Sequence, residues 1–359
     1  MFHASLAVTL PSAFPQPSAA VQRSIEALFP MPEGEEDDPN EELRATLSGN
    51  LGVFEALLRA FETAGFDDVV AIIVDGKPAY VDTEELIGDL QQALEGVVKT
   101  RAVAKGFAVM RTTFRRQHDG LEILGELRCH ARSGERADET RVRISARPLD
   151  HAPTREEGPR EFAARVREDL RDADRLEARR RFVQTVGEDI AAQIRAKLPG
   201  AGVEVSDAVV RFIAPGNRQL GRMRHLGFGA SLRSTVYSSL PSYERVGPYD
   251  DPLSRHYYSP YSDLYHWIAV GEALEGRMDS PAVEVVSATG RALFRGSEVD
   301  AFDPSEFAVS RAVVRVSPQG RLKIDASVPE VAALDPAEAG SPHSRGWGGE
   351  AWAEEIDGE

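Results

Sequence analysis

The 359-residue chain has one cysteine, Cys129, and only five lysines among its 42 basic residues. A single cysteine excludes an intramolecular disulfide framework and any zinc site built from several thiolates. No run of eighteen apolar residues occurs, so the sequence predicts no membrane-spanning helix. The lysine-poor composition is typical of a GC-rich genome and by itself assigns no function.

Positive charge is also scarce, because 58 acidic residues leave a formal net charge of −16. An acidic excess favours solubility and argues against a whole-protein surface for DNA or RNA, although it is compatible with a local basic patch. The first residues resemble a secretory leader only faintly, since they lack a basic start and proline interrupts them. We therefore expect a cytoplasmic protein.

The pattern of apolar residues predicts two folded units between two flexible ends. Residues 1–45 are rich in proline and acid and predict a flexible extension, and residues 331–359 predict a disordered acidic tail. Residues 46–150 and 151–330 each mix helical and strand-like periodicity, with neighbouring strands antiparallel. The sequence thus predicts an α+β protein made of two mixed helix and antiparallel-sheet units.

The first unit carries the clearest local signals. Apolar residues at helical spacing predict a helix that ends near Gly65, where glycine suits a helix C-cap. Asp75 and Gly76, between two apolar runs, predict a tight hairpin. Three strand-like stretches follow between residues 101 and 150. In one of them Cys129 is predicted to be a packed thiol rather than a nucleophile.

The second unit opens with the longest helical pattern, residues 160–198, whose middle is nearly all charge. We interpret this charge as a solvated face with opposite-charge pairs, in preference to an anion site formed by the three arginines 179–181. A strand is predicted over 203–213. Farther on, Pro318 and Gly320 occupy the positions that a type I hairpin turn prefers.

Residues 214–258 fit no regular element. Loops of this length inside a compact domain are uncommon and are usually functional or disordered. Seven of the eight tyrosines lie between Tyr237 and Tyr265, and residues 211–255 contain seven arginines but three acids. Tyrosine, serine, glycine and arginine together are typical of adaptable recognition surfaces. The alternatives are a loop that only packs, a protein contact, and a nucleotide or nucleic-acid contact.

The residues most suited to catalysis or metal binding lie at the end of this loop and just after it. His256, Asp263 and His266 supply two imidazoles and a carboxylate, which could serve an enzyme or hold zinc or iron. Their spacing matches no metal signature, and the chain has neither a nucleophile elbow nor a phosphate-binding loop. We therefore predict no metal and no cofactor. A helix is predicted from Pro260 to about Leu274.

The predicted function is a non-catalytic accessory or adaptor subunit of a bacterial multi-protein assembly. It would contact other protein subunits, and no membrane, through loop 214–258 and the acidic tail. One alternative is a metal-dependent or acid/base enzyme, hydrolase-like, with a site around His256, Asp263 and His266. The other is single-stranded nucleic-acid binding by the arginine- and tyrosine-rich loop. The predicted binding residues are Arg245, Tyr249, Arg255, His256, Tyr257, Tyr258, Asp263, His266, Trp347 and Trp352.

Overall fold

The computed structural model describes the following residues, with a few single positions between them: 1–29, 40–81, 90–98, 107–131, 140–151, 159–214, 252–257, 260–274, 276–278, 282–287, 292–295, 314–316 and 322–324. No helix in these ranges is both long and apolar enough to cross a membrane. The tail and most of the predicted 214–258 loop lie outside them.

One sheet of ten strands organises these residues, in the order β10-β9-β8-β1-β6-β5-β4-β2-β3, with β7 also paired to β1. Its strands are β1 (Phe2–Thr9), β2 (Asp68–Val74), β3 (Lys77–Val81), β4 (Val109–His118), β5 (Leu121–His130), β6 (Thr140–Pro148), β7 (Gly202–Val205), β8 (Val209–Ala214), β9 (Val283–Ser287) and β10 (Ala292–Arg295). Neighbouring strands are antiparallel except β8 and β9, which are parallel.

The helices of the described residues are α1 (Ala19–Leu28), α2 (Glu41–Thr63), α3 (Leu90–Val98), α4 (Pro159–Arg171), α5 (Ala173–Lys197), α6 (Pro252–Tyr257) and α7 (Pro260–Leu274). α6 and α7 lie in the connection between the parallel strands β8 and β9, which requires a crossover. A separate hairpin joins β11 (Val314–Val316) to β12 (Leu322–Ile324). The α+β class is confirmed.

The N-terminal segment corrects one prediction. β1 lies in the middle of the sheet, paired along seven positions with β6 and also with β7 and β8. α1 follows, and its Val21 and Ile25 are buried. The flexible extension predicted for 1–45 is therefore wrong for β1 and α1. The prolines and acids that suggested flexibility lie between β1 and α1 and after α1, so they belong to the segments that connect these elements and not to the elements themselves.

The strands of the two predicted units, 46–150 and 151–330, belong to the same sheet. The boundary near residue 151 is therefore not a boundary of the sheet. The single helix predicted over 160–198 is also wrong, because it is two helices, α4 and α5. The Asp172 side chain accepts a hydrogen bond from the Arg175 amide at 2.9 Å and caps the start of α5.

Several local predictions are confirmed. α2 ends in a Schellman motif, in which Gly65 has a φ of 85° and Phe66 N–H donates to the Phe61 carbonyl. Asp75 and Gly76 both have positive φ and join β2 to β3, as a type I′ turn requires. α7 covers Pro260–Leu274, as predicted.

Cys129 is buried and free, as the strand pattern predicted. Burial raises the pKa of its thiol to about 11, with a smaller opposing effect from a hydrogen bond by Thr140. At neutral pH the side chain is therefore a protonated thiol, and an unreactive one. This state agrees with its predicted role as a packing residue.

The sheet has one apolar face that packs on α2, α3 and α5, and α1 packs on α2 and α3. A Cβ built on Gly125 of β5 would lie 2.7 Å from the Phe61 ring of α2, and one on Gly187 of α5 would lie 3.5 Å from Ile144 of β6. Even-numbered residues of β1 and β6 and odd-numbered residues of β5 point to this side. The opposite side chains form the second face, which is polar along β4, β5 and β6.

Gly52 of α2 allows the segment after β1 to cross the helix closely. A Cβ at this position would lie 2.0 Å from the Pro15 carbonyl oxygen, a backbone atom that cannot rotate away. We expect Gly52→Ala to lower the free energy of unfolding by about 1–3 kcal/mol, measured by chemical denaturation.

Gly271 of α7 is the matched control, since a Cβ there would meet nothing within 4 Å. Gly271→Ala should leave stability unchanged or raise it by up to about 1 kcal/mol, because alanine is the better helix former. Equal losses in the two variants would contradict the close crossing at Gly52.

Candidate functional site

The polar face of β4, β5 and β6 is unusually rich in arginine. We call it the arginine face. Its positions, read from strand register and alternation, are Arg111, Thr113 and Arg115 on β4, Glu122, Leu124, Glu126 and Arg128 on β5, and Arg141, Arg143, Ser145 and Arg147 on β6. Six arginines face two glutamates on these strands, and Asp68 of the neighbouring β2 pairs with Arg115, in a protein whose net charge is −16. Positive charge is thus concentrated here against the overall sign.

Three of these arginines stand directly opposite one another on neighbouring strands. Arg111 pairs in register with Arg128, and Arg128 with Arg141. Like charges at directly opposed positions destabilise a sheet, because their Cβ atoms are only about 5 Å apart. The row runs from Arg111, which is buried, through the half-buried Arg128 to the exposed Arg141. One end of the arginine face therefore reaches solvent.

Buried ion pairs stabilise the inner part of the arginine face. Arg147 Nε donates to Glu122 Oε2 at 2.7 Å, and both side chains are 1% exposed. Arg111 lies 3.9 Å from Glu126, also deeply buried. Burying charges costs several kcal/mol of desolvation each, which the pair attraction offsets only in good geometry. An apolar face would avoid this cost, so stability alone does not explain why these positions are charged.

Helix α6 lies on the arginine face. His256 Nε2 is 3.0 Å from the Thr113 hydroxyl of β4. Leu253 of the same helix joins Met1, Val70 and Leu124 in a small apolar cluster, apart from the main core. The backbone of α6 therefore places Arg255 and Tyr257, two of the predicted binding residues, beside this face. Their side chains lie outside the described part of the chain.

His266 and Asp263, the other two described residues of the predicted site, lie elsewhere. Both are fully buried on α7. His266 Nδ1 accepts the Ile213 amide of β8 at 3.2 Å, just beyond the end of the β1–β8 pairing. Because it accepts there, the neutral ring carries its proton on Nε2.

The structure does not bring His256 and His266 together. Their partners lie on β4 and β8, and β5, β6 and β1 separate these strands. Four strand spacings amount to about 19 Å. Among the described residues, no group of three histidine, cysteine or acidic side chains is placed to hold a metal ion. The site suggested by the spacing of His256, Asp263 and His266 is therefore divided between two places.

The remaining predicted residues cannot be placed on this framework. Arg245, Tyr249, Tyr258, Trp347 and Trp352 all lie outside the described residues. The contacts proposed for the loop and the tail therefore stay predictions.

Three buried histidines, His3, His151 and His266, have pKa values lowered chiefly by burial, and His266 contributes to the lowering in the other two. His3 lies 3.0 Å from the Ser145 hydroxyl, and His151 Nδ1 donates to the Pro148 carbonyl at 3.0 Å. Burial lowers the pKa of both imidazoles, and of His266, well below the usual value. Nearby positive charge adds to this effect: Arg211 for His3, Arg147 for His151 and the N-terminal amine for His266. All three rings are therefore neutral at neutral pH.

Sequence reasoning missed the arginine face. The alternating polar residues of β4 to β6 resemble those of strands with one solvated face. Their cations are all arginine, but lysine is scarce throughout the chain, so this composition carries no signal of burial. Only the position of β4, β5 and β6 as inner strands of one sheet shows that part of this face is buried.

Comparison of the chain with protein-family models, with curated proteins and with solved structures returns no match.

The buried pair Arg147–Glu122 makes a prediction about stability. Glu122→Gln leaves the Arg147 charge buried without a full countercharge, so the free energy of unfolding should fall by about 3–5 kcal/mol. The double variant Glu122→Leu with Arg147→Met removes both charges and should recover most of that loss. Urea titration of the single and double variants measures both values.

Arg181, whose side chain is 75% exposed and pairs with Glu177, is the control. Arg181→Met should cost no more than about 1 kcal/mol, as expected for a surface pair. If the double variant of the buried pair is as unstable as the single one, these charges contribute to stability in a way that a buried ion pair does not explain.

The buried histidines predict loss of stability in mild acid. Their pKa values are lowered in the folded state, so the unfolded chain binds protons first as pH falls below about 6.5. Stability is full above that pH and should then decline by up to about 1.4 kcal/mol per pH unit for each histidine. Chemical denaturation between pH 7.5 and 5.5 tests this (roughly the range in which free imidazole titrates).

His3→Asn should reduce the acid sensitivity, because its amide can replace Nδ1 toward Ser145 and does not titrate. His118, exposed at the end of β4, is the control, and His118→Asn should keep the wild-type pH dependence. A wild-type stability that is constant over this range would show that the buried rings are not held neutral.

Proposed function

We propose that this protein is a non-catalytic accessory or adaptor subunit of a bacterial multi-protein assembly, and that the arginine face binds an acidic segment of a partner protein. The observation that carries the proposal is the row Arg111–Arg128–Arg141, three like charges opposed across neighbouring strands. A ligand with several carboxylates can bind the end of such a row that reaches solvent, through paired N–H donors of its guanidinium groups.

The dimensions of the row suit an extended acidic peptide. Three neighbouring strands span about 10 Å, and alternate side chains of an extended peptide are about 7 Å apart. Two successive carboxylates on one side of such a peptide can therefore reach two of the three guanidinium groups. Arginine also binds carboxylate through two parallel N–H donors, which gives direction as well as charge.

The composition of the arginine face favours carboxylates over single-stranded nucleic acid. Proteins bind single strands by stacking bases on aromatic side chains beside a basic groove. The uncharged positions of this face are Val109, Thr113, Gln117, Leu124, His130 and Ser145. Its two described rings, His130 and His256 of α6, are both buried and offer no exposed surface for a base to stack on. The net charge of −16 also repels a long polyanion outside this local surface. An acidic protein segment meets the positive charge without requiring stacking.

Binding of a labelled peptide of alternating Glu and Thr, followed by fluorescence anisotropy, tests the proposal. Arg141 is exposed and Arg143 is half-buried at the accessible end of the face. Arg141→Glu with Arg143→Glu should weaken peptide binding by about tenfold or more, since it opposes charge to the ligand. Affinity for the wild-type chain should fall as salt rises.

Arg23 on α1 and Lys197 on α5 provide the control, since both are exposed on helices of the layer that covers the apolar face. Arg23→Glu with Lys197→Glu changes the net charge equally and should alter peptide affinity by less than about threefold. Equal losses in the two double variants would refute a specific arginine face. Tighter binding of a single-stranded oligonucleotide with the same number of charges would favour the nucleic-acid alternative instead.

A further inference from the structure

A second arginine cluster lies away from the arginine face, where α4 meets the end of α7. Its centre is Glu272 of α7, whose side chain is 4% exposed. Three arginines surround this carboxylate: Arg171 Nε at 2.7 Å, Arg167 Nε at 3.3 Å and Arg277 Nη1 at 3.5 Å. Three cations contact this one anion; with the nearby Glu168 counted and Asp172 paired to Arg175, three positive and two negative charges leave a formal excess of one positive charge.

The buried carboxylate orients two of these guanidinium groups and leaves donors available. Arg167 and Arg171 are four residues apart on α4 and therefore lie on one face of the helix. Each contacts Glu272 through Nε, and their side chains are 38% and 44% exposed. Their shortest contacts with Glu272 are made by Nε, and within the described residues their Nη groups make no hydrogen bond. The Nη donors of two guanidinium groups are thus available on one partly exposed helix face.

These donors border an open depression of about 510 Å³, lined by Ala164, Arg167, Glu168, Arg171 and Asp172. Ligand sites in proteins commonly have volumes of about 300–1,000 Å³. Asp172 is engaged as the cap of α5 and pairs with Arg175 at 3.3 Å. Glu168 is exposed at the rim, and its carboxylate opposes an anion. The depression has room for an organic group beside the anion.

We propose that Arg167 and Arg171 form a binding site for the phosphate group of a small soluble phosphomonoester. Two guanidinium groups held on one helix face match the several acceptor oxygens of a phosphate. Glu272 fixes their orientation before the ligand arrives, so less side-chain entropy is lost on binding. The site is separate from the arginine face and does not depend on its function.

Titration calorimetry of the full-length protein with inorganic phosphate and with glycerol phosphate, at low salt, tests the site. Arg167→Gln should weaken both interactions by about tenfold or more, because one of the two donor pairs is lost. Arg181→Gln, which removes an exposed arginine from α5, should leave them within about twofold. Glycerol phosphate should bind more tightly than phosphate alone, since the depression accepts its organic part.

Glu168→Gln gives a result of opposite sign. Removing this carboxylate should strengthen phosphate binding by about threefold, because a like charge near the ligand is lost. Glu188→Gln removes an exposed carboxylate from α5 and should have no such effect. A gain confined to Glu168→Gln cannot come from damage to the fold, so this variant tests the site even if Arg167→Gln is unstable.

Three results would overturn the site: no heat of binding with wild type, equal effects of Arg167→Gln and Arg181→Gln, or equal gains from the two glutamate variants. The Arg141→Glu, Arg143→Glu variant separates this site from the proposed function. It should lose the acidic peptide and keep phosphate, whereas Arg167→Gln should lose phosphate and keep the peptide.

Discussion

The pairing of β1 with β6 is the interaction on which the rest of the structure depends. β1 joins two groups of strands that are far apart in the sequence, β2–β6 on one side and β7–β10 on the other. Without it, neither group would continue into the other. The first residue is already engaged, since Arg211 N–H donates to the Met1 carbonyl at 2.7 Å. Such non-local pairing costs loop-closure entropy before it gains stability, which predicts slow formation of the complete sheet.

A central β1 also determines the character of the two faces. The apolar face collects side chains from strands in both halves of the chain and is covered by α2, α3 and α5, so burial there follows from hydrophobicity. The arginine face occupies inner strands of the same sheet, where charged side chains cannot all reach water. The attraction between Arg147 and Glu122 therefore offsets the desolvation cost of burying both charges, whereas Arg141 is exposed and keeps its hydration.

Local features of this fold could be predicted from the sequence, because their causes are local. Gly65 needs a positive φ, Asp75 and Gly76 need a tight turn, and Pro260 favours a helix start; each requirement acts within a few residues. The break at Asp172 was missed, since an aspartate in a charged helical pattern fits a solvated face as well as a cap.

Long-range features could not be predicted from periodicity. The alternation in Phe2–Thr9 is short and is followed by prolines, so nothing nearby indicates that it lies between β6 and β8. The same limit applies to the candidate site. The spacing of His256 and His266 suggested one site, but their hydrogen-bond partners lie on β4 and β8, two strands about 19 Å apart in the sheet. Which strands become neighbours depends on pairings across more than a hundred residues, and sequence spacing carries no information about that.

The two proposals give an acidic protein two distinct binding surfaces for anions. On the arginine face, guanidinium groups lie opposite one another on neighbouring strands, an arrangement suited to an extended ligand with several carboxylates. Around Glu272, the buried carboxylate holds Arg167 and Arg171 close together on one helix face, an arrangement suited to one compact dianion. The net charge of −16 does not determine the potential at either surface, since salt screens the distant charges within about 10 Å at ordinary ionic strength. Specificity for the ligand therefore rests on how each guanidinium group is held: by strand register in one case and by a shared carboxylate in the other.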